Sequence, residues 1–282
     1  MKRKTNKITY PLIALLTVCS CICCLQTPQL QASAQERTES RYYDDYNNGI
    51  ATASSSIETI TFARAEEEEI RFTYTVPTYF YDSSLANACG PIAGSIVVGY
   101  YDRYYENLIP NYTAYYTASG KYRMPDSTYV PALIQDLYTR MRTNVDDVGV
   151  SESDCLNGLT AYVQSKSLSI SYNSVVSSSF NETAYKNALN AEQPVMLFCN
   201  TVTLYNLGAD TNEHTELLLQ TGNSHIVIAY GYLKIRYYNE NDVNFRTETY
   251  AEVATGWNTH MSGYLKLNDT SWMDSGYAVD IY

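Results

Sequence analysis

Two side chains in this sequence are of the types that together break acyl bonds: the thiol of Cys89 and the imidazole of His225. A thiolate attacks a carbonyl carbon. An imidazole within hydrogen-bond reach accepts the thiol proton and then delivers it to the leaving group. Cys89 stands in Asn87-Ala-Cys-Gly-Pro-Ile-Ala-Gly-Ser-Ile-Val-Val-Gly-Tyr-Tyr-Asp-Arg-Tyr-Tyr105, and His225 in Ser224-His-Ile-Val-Ile-Ala-Tyr-Gly-Tyr232. The chain holds only two other histidines. His214 lies in the polar stretch around 210–213 and His260 in an Asn-Thr-His-Met turn, so both are expected to face solvent.

Each candidate needs an element to hold it. Pro91, with φ fixed and no N–H, suits a first helical turn, and Ile92, Ile96, Val97 and Tyr100 recur at helical spacing. Gly90, Gly94 and Gly99 are poor helix formers unless something packs closely on the backbone. Cys89 therefore sits where a turn becomes a buried helix. The positive end of the helix dipole and the unbonded N–H groups there favour thiolate. The competing reading is a buried small hydrophobe, as most cysteines are. His225 opens the most apolar strand-like run, directly after the expected turn Thr221-Gly-Asn-Ser224. A strand can hold such a ring rigidly at a cleft edge, and a satisfied core histidine is the competing reading.

These blocks, with the later Val253-Ala-Thr-Gly-Trp-Asn258, resemble the exported papain-like cysteine peptidases of bacteria related to family 39, the double-glycine leader peptidases, and more distantly streptopain. The likeness runs in order from about residue 76 to 282, and the Cys-Gly-Pro block is its most specific part. The 136 residues between Cys89 and His225 fall in the loose separation of papain-type enzymes. The resemblance implies a papain-like α+β fold and a Cys-His thiol hydrolase whose imidazole is oriented by an acid or amide. Where the relatives carry Asp or Asn before Gly-Trp, this chain has Thr255. A hydroxyl accepts the imidazole N–H but does not stabilise imidazolium as a carboxylate does, so a weak or inactive enzyme is one consequence. Glu252, Asn258 and Asp269 are the neighbouring substitutes, and ordinary strand, turn and loop roles compete for each. The relatives' oxyanion-hole glutamine has no match either. Asn87 offers an amide donor alongside the Cys89 N–H, or else simply serves the turn.

The remainder sets the frame. A basic start, an apolar run from about 10 to 25 and Ala32-Ser33-Ala34 read as a signal peptide over 1–34, placing the protein outside the membrane, secreted or on the cell surface. Val18-Cys19-Ser20-Cys21 loosely matches a lipid-attachment site, which would anchor the chain at Cys21. Losing four basic leader residues takes the net charge from −11 to −15, which argues against nucleic acid as a partner. Residues 35–72, Ser-rich and with the run Glu66–Glu69, read as a polar linker or propeptide. Residues 73–282 form the expected domain, with helices near 131–142, 153–165 and 182–190. Strands are expected near 195–199, 216–220, 225–235, 247–254, 263–268 and 277–282. Helices first and strands later predict an α+β domain, a helical half packed on an antiparallel sheet. The mature chain keeps Cys89, Cys155 and Cys199, so a Cys155–Cys199 disulfide would leave Cys89 as the odd thiol. No His/Cys/carboxylate cluster has metal-ligand spacing, so no metal or cofactor is expected. A monomer acting on a peptide or protein substrate is the leading expectation. A non-catalytic surface-binding module is one alternative, and a thiol acyltransferase or peptidoglycan amidohydrolase another.

Overall fold

The computed structural model describes residues 40–42, 56–80, 85–112, 128–145, 149–176 and 179–282, all within one unit, Glu39–Tyr282. Three strands come first: β1 (Arg41–Tyr42), β2 (Ile57–Thr61) and β3 (Arg64–Arg71). Helices α1 (Cys89–Asp102) and α2 (Tyr129–Arg140) follow, then β4 (Val150–Ser151), α3 (Glu152–Ser165), β5 (Ile170–Ser174) and α4 (Glu182–Asn190). The chain ends in β6 (Val195–Asp210), β7 (Glu213–Tyr238), β8 (Asn244–Ala254), β9 (Ser262–Lys266) and β10 (Met273–Ile281).

α1 is buried along its whole length, which is why it tolerates three glycines and several β-branched residues. A β-carbon at Gly99 would lie 2.5 Å from the Tyr79 ring, so the absent side chain is what admits that neighbour. α2 buries only the stripe Val130, Leu133, Ile134 and Leu137. Ser151 caps α3 by accepting from Asp154 N at 3.1 Å, with Glu152 and Asp154 in the positive first turn. Asn181 caps α4 likewise through Ala184 N, the position expected from the sequence.

Every strand pairing is antiparallel, and β7 is the hub. Its first half pairs with β6 from Asp210↔Glu213 to Val195↔Ala229, closing a hairpin through Thr211 and Asn212. Its second half pairs with β8 and with β3. β8 pairs with β9, and β9 returns to β6 at Tyr264↔Tyr205, so β6 to β9 close on themselves as a small barrel. β10 and β5 extend the sheet from β6. α1, α2 and α3 pack on one another, and α1 lies on β7. The protein is thus mixed α and β, with a large antiparallel sheet and four helices among the described residues, as the α+β expectation required. No described helix is long and apolar enough to cross a membrane.

Several expectations are corrected. Residues 57–71 are not a solvated linker but two strands of the sheet. The glutamates of β3 meet partners remote in sequence: Glu66 accepts from Tyr238 Oη, and Glu68 pairs with Lys186 and Arg236. The turn expected at 221–224 is absent, because those residues continue β7 opposite β6. Cys155 and Cys199 are thiols rather than a disulfide, and Cys155 Sγ lies 4.0 Å from Met196 Sδ. The expected signal peptide over 1–34, the expected lipid-attachment site at Cys21, and residues 35–39 and 43–55 lie outside the described residues.

Candidate functional site

Cys89 is the first residue of α1 and is 2% exposed. Ala88 carries the cap position, its carbonyl accepting Ile92 N at 2.9 Å, and no side chain caps the helix. Cys89 thus stands at the positive end of a 14-residue helix dipole. A β-carbon at Gly90 would stand 2.8 Å from Val150 Cγ1, 3.4 Å from Cys155 Sγ and 3.6 Å from Ile226 Cδ1. The residue after the cysteine thus packs on the residue after the histidine.

His225 is equally buried, opposite Cys199 on β6 and inside β7 rather than at its start. Ser224, at φ +45°, bends the strand just before it. Its ring stacks on Trp257 with centroids 4.7 Å apart and planes 25° from parallel. Nε2 lies 2.7 Å from the carbonyl oxygen of Thr255. A carbonyl only accepts, so Nε2 carries the hydrogen and the neutral ring holds its lone pair on Nδ1. Nδ1 is buried and makes no hydrogen bond, so the imidazole is not bonded to the Cys89 thiol through it.

The third position works differently from the expectation. The Thr255 side chain does not orient the imidazole; its backbone carbonyl does. The hydroxyl instead donates to His260 O at 2.5 Å and accepts from Trp257 N at 3.1 Å, fixing the loop that presents that carbonyl. Gly256, at φ +76°, turns the loop in against α1, where a β-carbon would lie 2.8 Å from Ile92 Cγ2. The first turn of α1 therefore touches both the His225 strand and the Thr255–Trp257 loop. The substitutes are engaged elsewhere or apart: Glu252 accepts from Tyr230 Oη, Asp269 accepts from Ser271 N, and Asn258 Oδ1 is buried without a hydrogen bond.

Asn87 is in the left-handed region at φ +56°, and its amide donates to Asn144 Oδ1 at 2.6 Å. One of its two amide hydrogens is thereby used to tie the turn before α1 to the connection after α2, in accord with the turn role. His214 is not solvent-facing. It is buried in β7 between Phe62 and Tyr237, with Nδ1 3.1 Å from Tyr237 Oη, and burial lowers its pKa below the ordinary 6.5. His260 is half-buried and contributes its carbonyl to the loop. Burial pushes the thiols of Cys155 and Cys199 well above the ordinary cysteine range, with nearby carboxylates adding to it, so both stay protonated core groups.

Sequence reasoning misses the Thr255 carbonyl because a backbone ligand leaves no mark on residue type. The only signal is the Gly-Trp pair after it, one residue supplying the positive φ and the other the cover for the ring. No family model, no curated protein and no solved structure matches the chain.

Proposed function

We propose that this protein is an exported cysteine peptidase on a papain-like fold, with Cys89 as nucleophile and His225 as general base and then general acid. The observation that carries this reading is the imidazole's hydrogen-bonding: Nε2–H is held by Thr255 O, the ring stacks on Trp257, and Nδ1 is left buried without a hydrogen bond. Nδ1 takes the thiol proton, the thiolate attacks the scissile carbonyl, and the protonated ring returns the proton to the leaving amine. Water then hydrolyses the thioester by the reverse proton route. The Cys89 N–H at the start of α1 is the backbone candidate for a donor to the developing oxyanion, with Asn87 as the side-chain candidate. A neutral carbonyl holds the ring's orientation but supports imidazolium less than a carboxylate does, so turnover is expected to be slow.

The test pairs chemistry with mutation. Iodoacetamide labelling of Cys89 is followed against pH, and casein and peptide turnover are compared for the wild type, Cys89→Ala and His225→Ala. Labelling faster than a denatured-chain thiol, and loss of turnover in both variants, support the reading. Ordinary labelling with turnover unchanged by Cys89→Ala defeats it. A second reading, a non-catalytic peptide-binding module, is favoured by one observation: thiol and imidazole are each only 2% exposed. Turnover of muropeptides but not of proteins would move the chemistry to an amidohydrolase.

A further inference from the structure

A short strand from early in the chain, β1, pairs with the strand whose Val150 side chain faces Gly90. Tyr42 is the cross-strand partner of Val150, the residue whose side chain meets Gly90. The Tyr42 ring packs edge-on against Phe198 at 5.1 Å, and Phe198 is the ladder partner of Ile226, one rung from Cys199 and His225. Its hydroxyl donates to Asp274 Oδ2 at 3.1 Å, while the other Asp274 oxygen accepts from Asn200. Arg41, the preceding residue, lies 3.7 Å from Asp154 Oδ2 at the start of α3. The tyrosine is 1% exposed, and burial with the carboxylates of Asp274 and Glu152 keeps its hydroxyl protonated and donating. So a two-residue strand places an aromatic side chain in a buried site and a part-exposed basic one beside a carboxylate, with Val150 standing between Tyr42 and Gly90.

We infer that this is a recognition groove for a basic–tyrosine dipeptide segment, with Arg41–Tyr42 as its internal occupant. A peptide bound there adds its backbone to β4 as β1 does, presents its tyrosine to Phe198 and Asp274, and its cation to Asp154. The inference rests on the proposed peptidase reading only for the chemistry after binding.

The test measures binding apart from catalysis. In a Cys89→Ala background of the full chain, affinities for acetyl-Arg-Tyr-Ala-amide and acetyl-Arg-Phe-Ala-amide are compared with Tyr42 intact, as Tyr42→Ala and as Tyr42→Phe. Emptying or loosening the groove is expected to tighten binding of the tyrosine peptide about tenfold. The tyrosine peptide is expected to exceed the phenylalanine one by about tenfold, the weight of one hydrogen bond to a carboxylate. Adding Asp274→Ala removes that preference. Tyr42→Phe keeps the ring in the core and covers the case in which Tyr42→Ala does not fold. No gain in affinity for a folded Tyr42 variant, or equal binding of the two peptides, overturns the inference. Binding as expected without Cys89-dependent turnover would leave the groove standing and remove only the peptidase reading.

Discussion

Replacing Gly256 by Ala tests whether the imidazole's support is held in place by the helix that carries Cys89. Gly256 adopts φ +76°, where an L-residue with a β-carbon is strained by about 1–2 kcal/mol. The new carbon would also stand 2.8 Å from Cγ2 of the buried Ile92, an overpacking that costs roughly 1–3 kcal/mol. Together these predict a loss of about 3 kcal/mol, read as a lowered urea midpoint with unchanged m-value. Ile92→Leu removes the γ2 carbon at nearly constant volume. In the double variant the steric part should return while the backbone strain remains, giving a coupling of at least about 1 kcal/mol in a double-mutant cycle. The same displacement moves the Thr255 carbonyl away from His225 Nε2. The hydrogen-bonded, buried Nε2–H should give a sharp, slowly exchanging resonance in the wild type that broadens or vanishes in Gly256→Ala and returns in the double variant. A loss below about 0.5 kcal/mol, or additive effects of the two substitutions, would refute the argument that α1 and the Thr255–Trp257 loop are braced against each other.

Asp102 closes α1, and its carboxyl accepts from Ile109 N at 2.7 Å; burial raises its pKa from the ordinary 3.8 to about 7, against that bond. The folded value lies above the unfolded one, so this contribution to stability is complete below about pH 4 and is lost as pH rises through 7. Three pH units set a ceiling near 4 kcal/mol, and partial solvation of the group reduces it to about 2 kcal/mol. Asp102→Asn should therefore be more stable than the wild type at pH 8 and equal to it near pH 4 in urea titrations; a pH-independent difference would contradict this. Lys266 lies 2.5 Å from the carboxylate of Glu216, which is buried in the β6–β9 barrel and also accepts from Tyr250 Oη. Lys266→Met should cost about 3 kcal/mol by leaving that charge short of a partner, and adding Glu216→Gln should recover most of it in thermal melts.

What can be read from the chain is what local chemistry dictates. Pro91 and the apolar spacing after it announce α1, Asn181 announces the cap of α4, and the apolar runs after 195 and 225 announce β6 and β7. Thr221-Gly-Asn-Ser224 reads as a turn because its residue types tolerate turn geometry. In the fold, a β6 partner for each neighbouring rung holds the backbone extended and confines the bend to Ser224. Residues 57–71 read as linker because a run of glutamates looks solvated until Lys186, Arg236 and Tyr238 arrive from elsewhere. His214 has polar neighbours in sequence but aromatic ones in space.

The sequence by itself determined where a thiol meets the start of a helix and which histidine sits in an apolar strand, because both depend on residues adjacent in the chain. Only the tertiary structure decided what holds that imidazole, which side of it keeps a lone pair, and that Tyr42 pairs with Val150. Those facts depend on a backbone carbonyl, a ring stack and a cross-strand pair between segments 30 to more than 100 residues apart, contacts made by geometry and not by residue type.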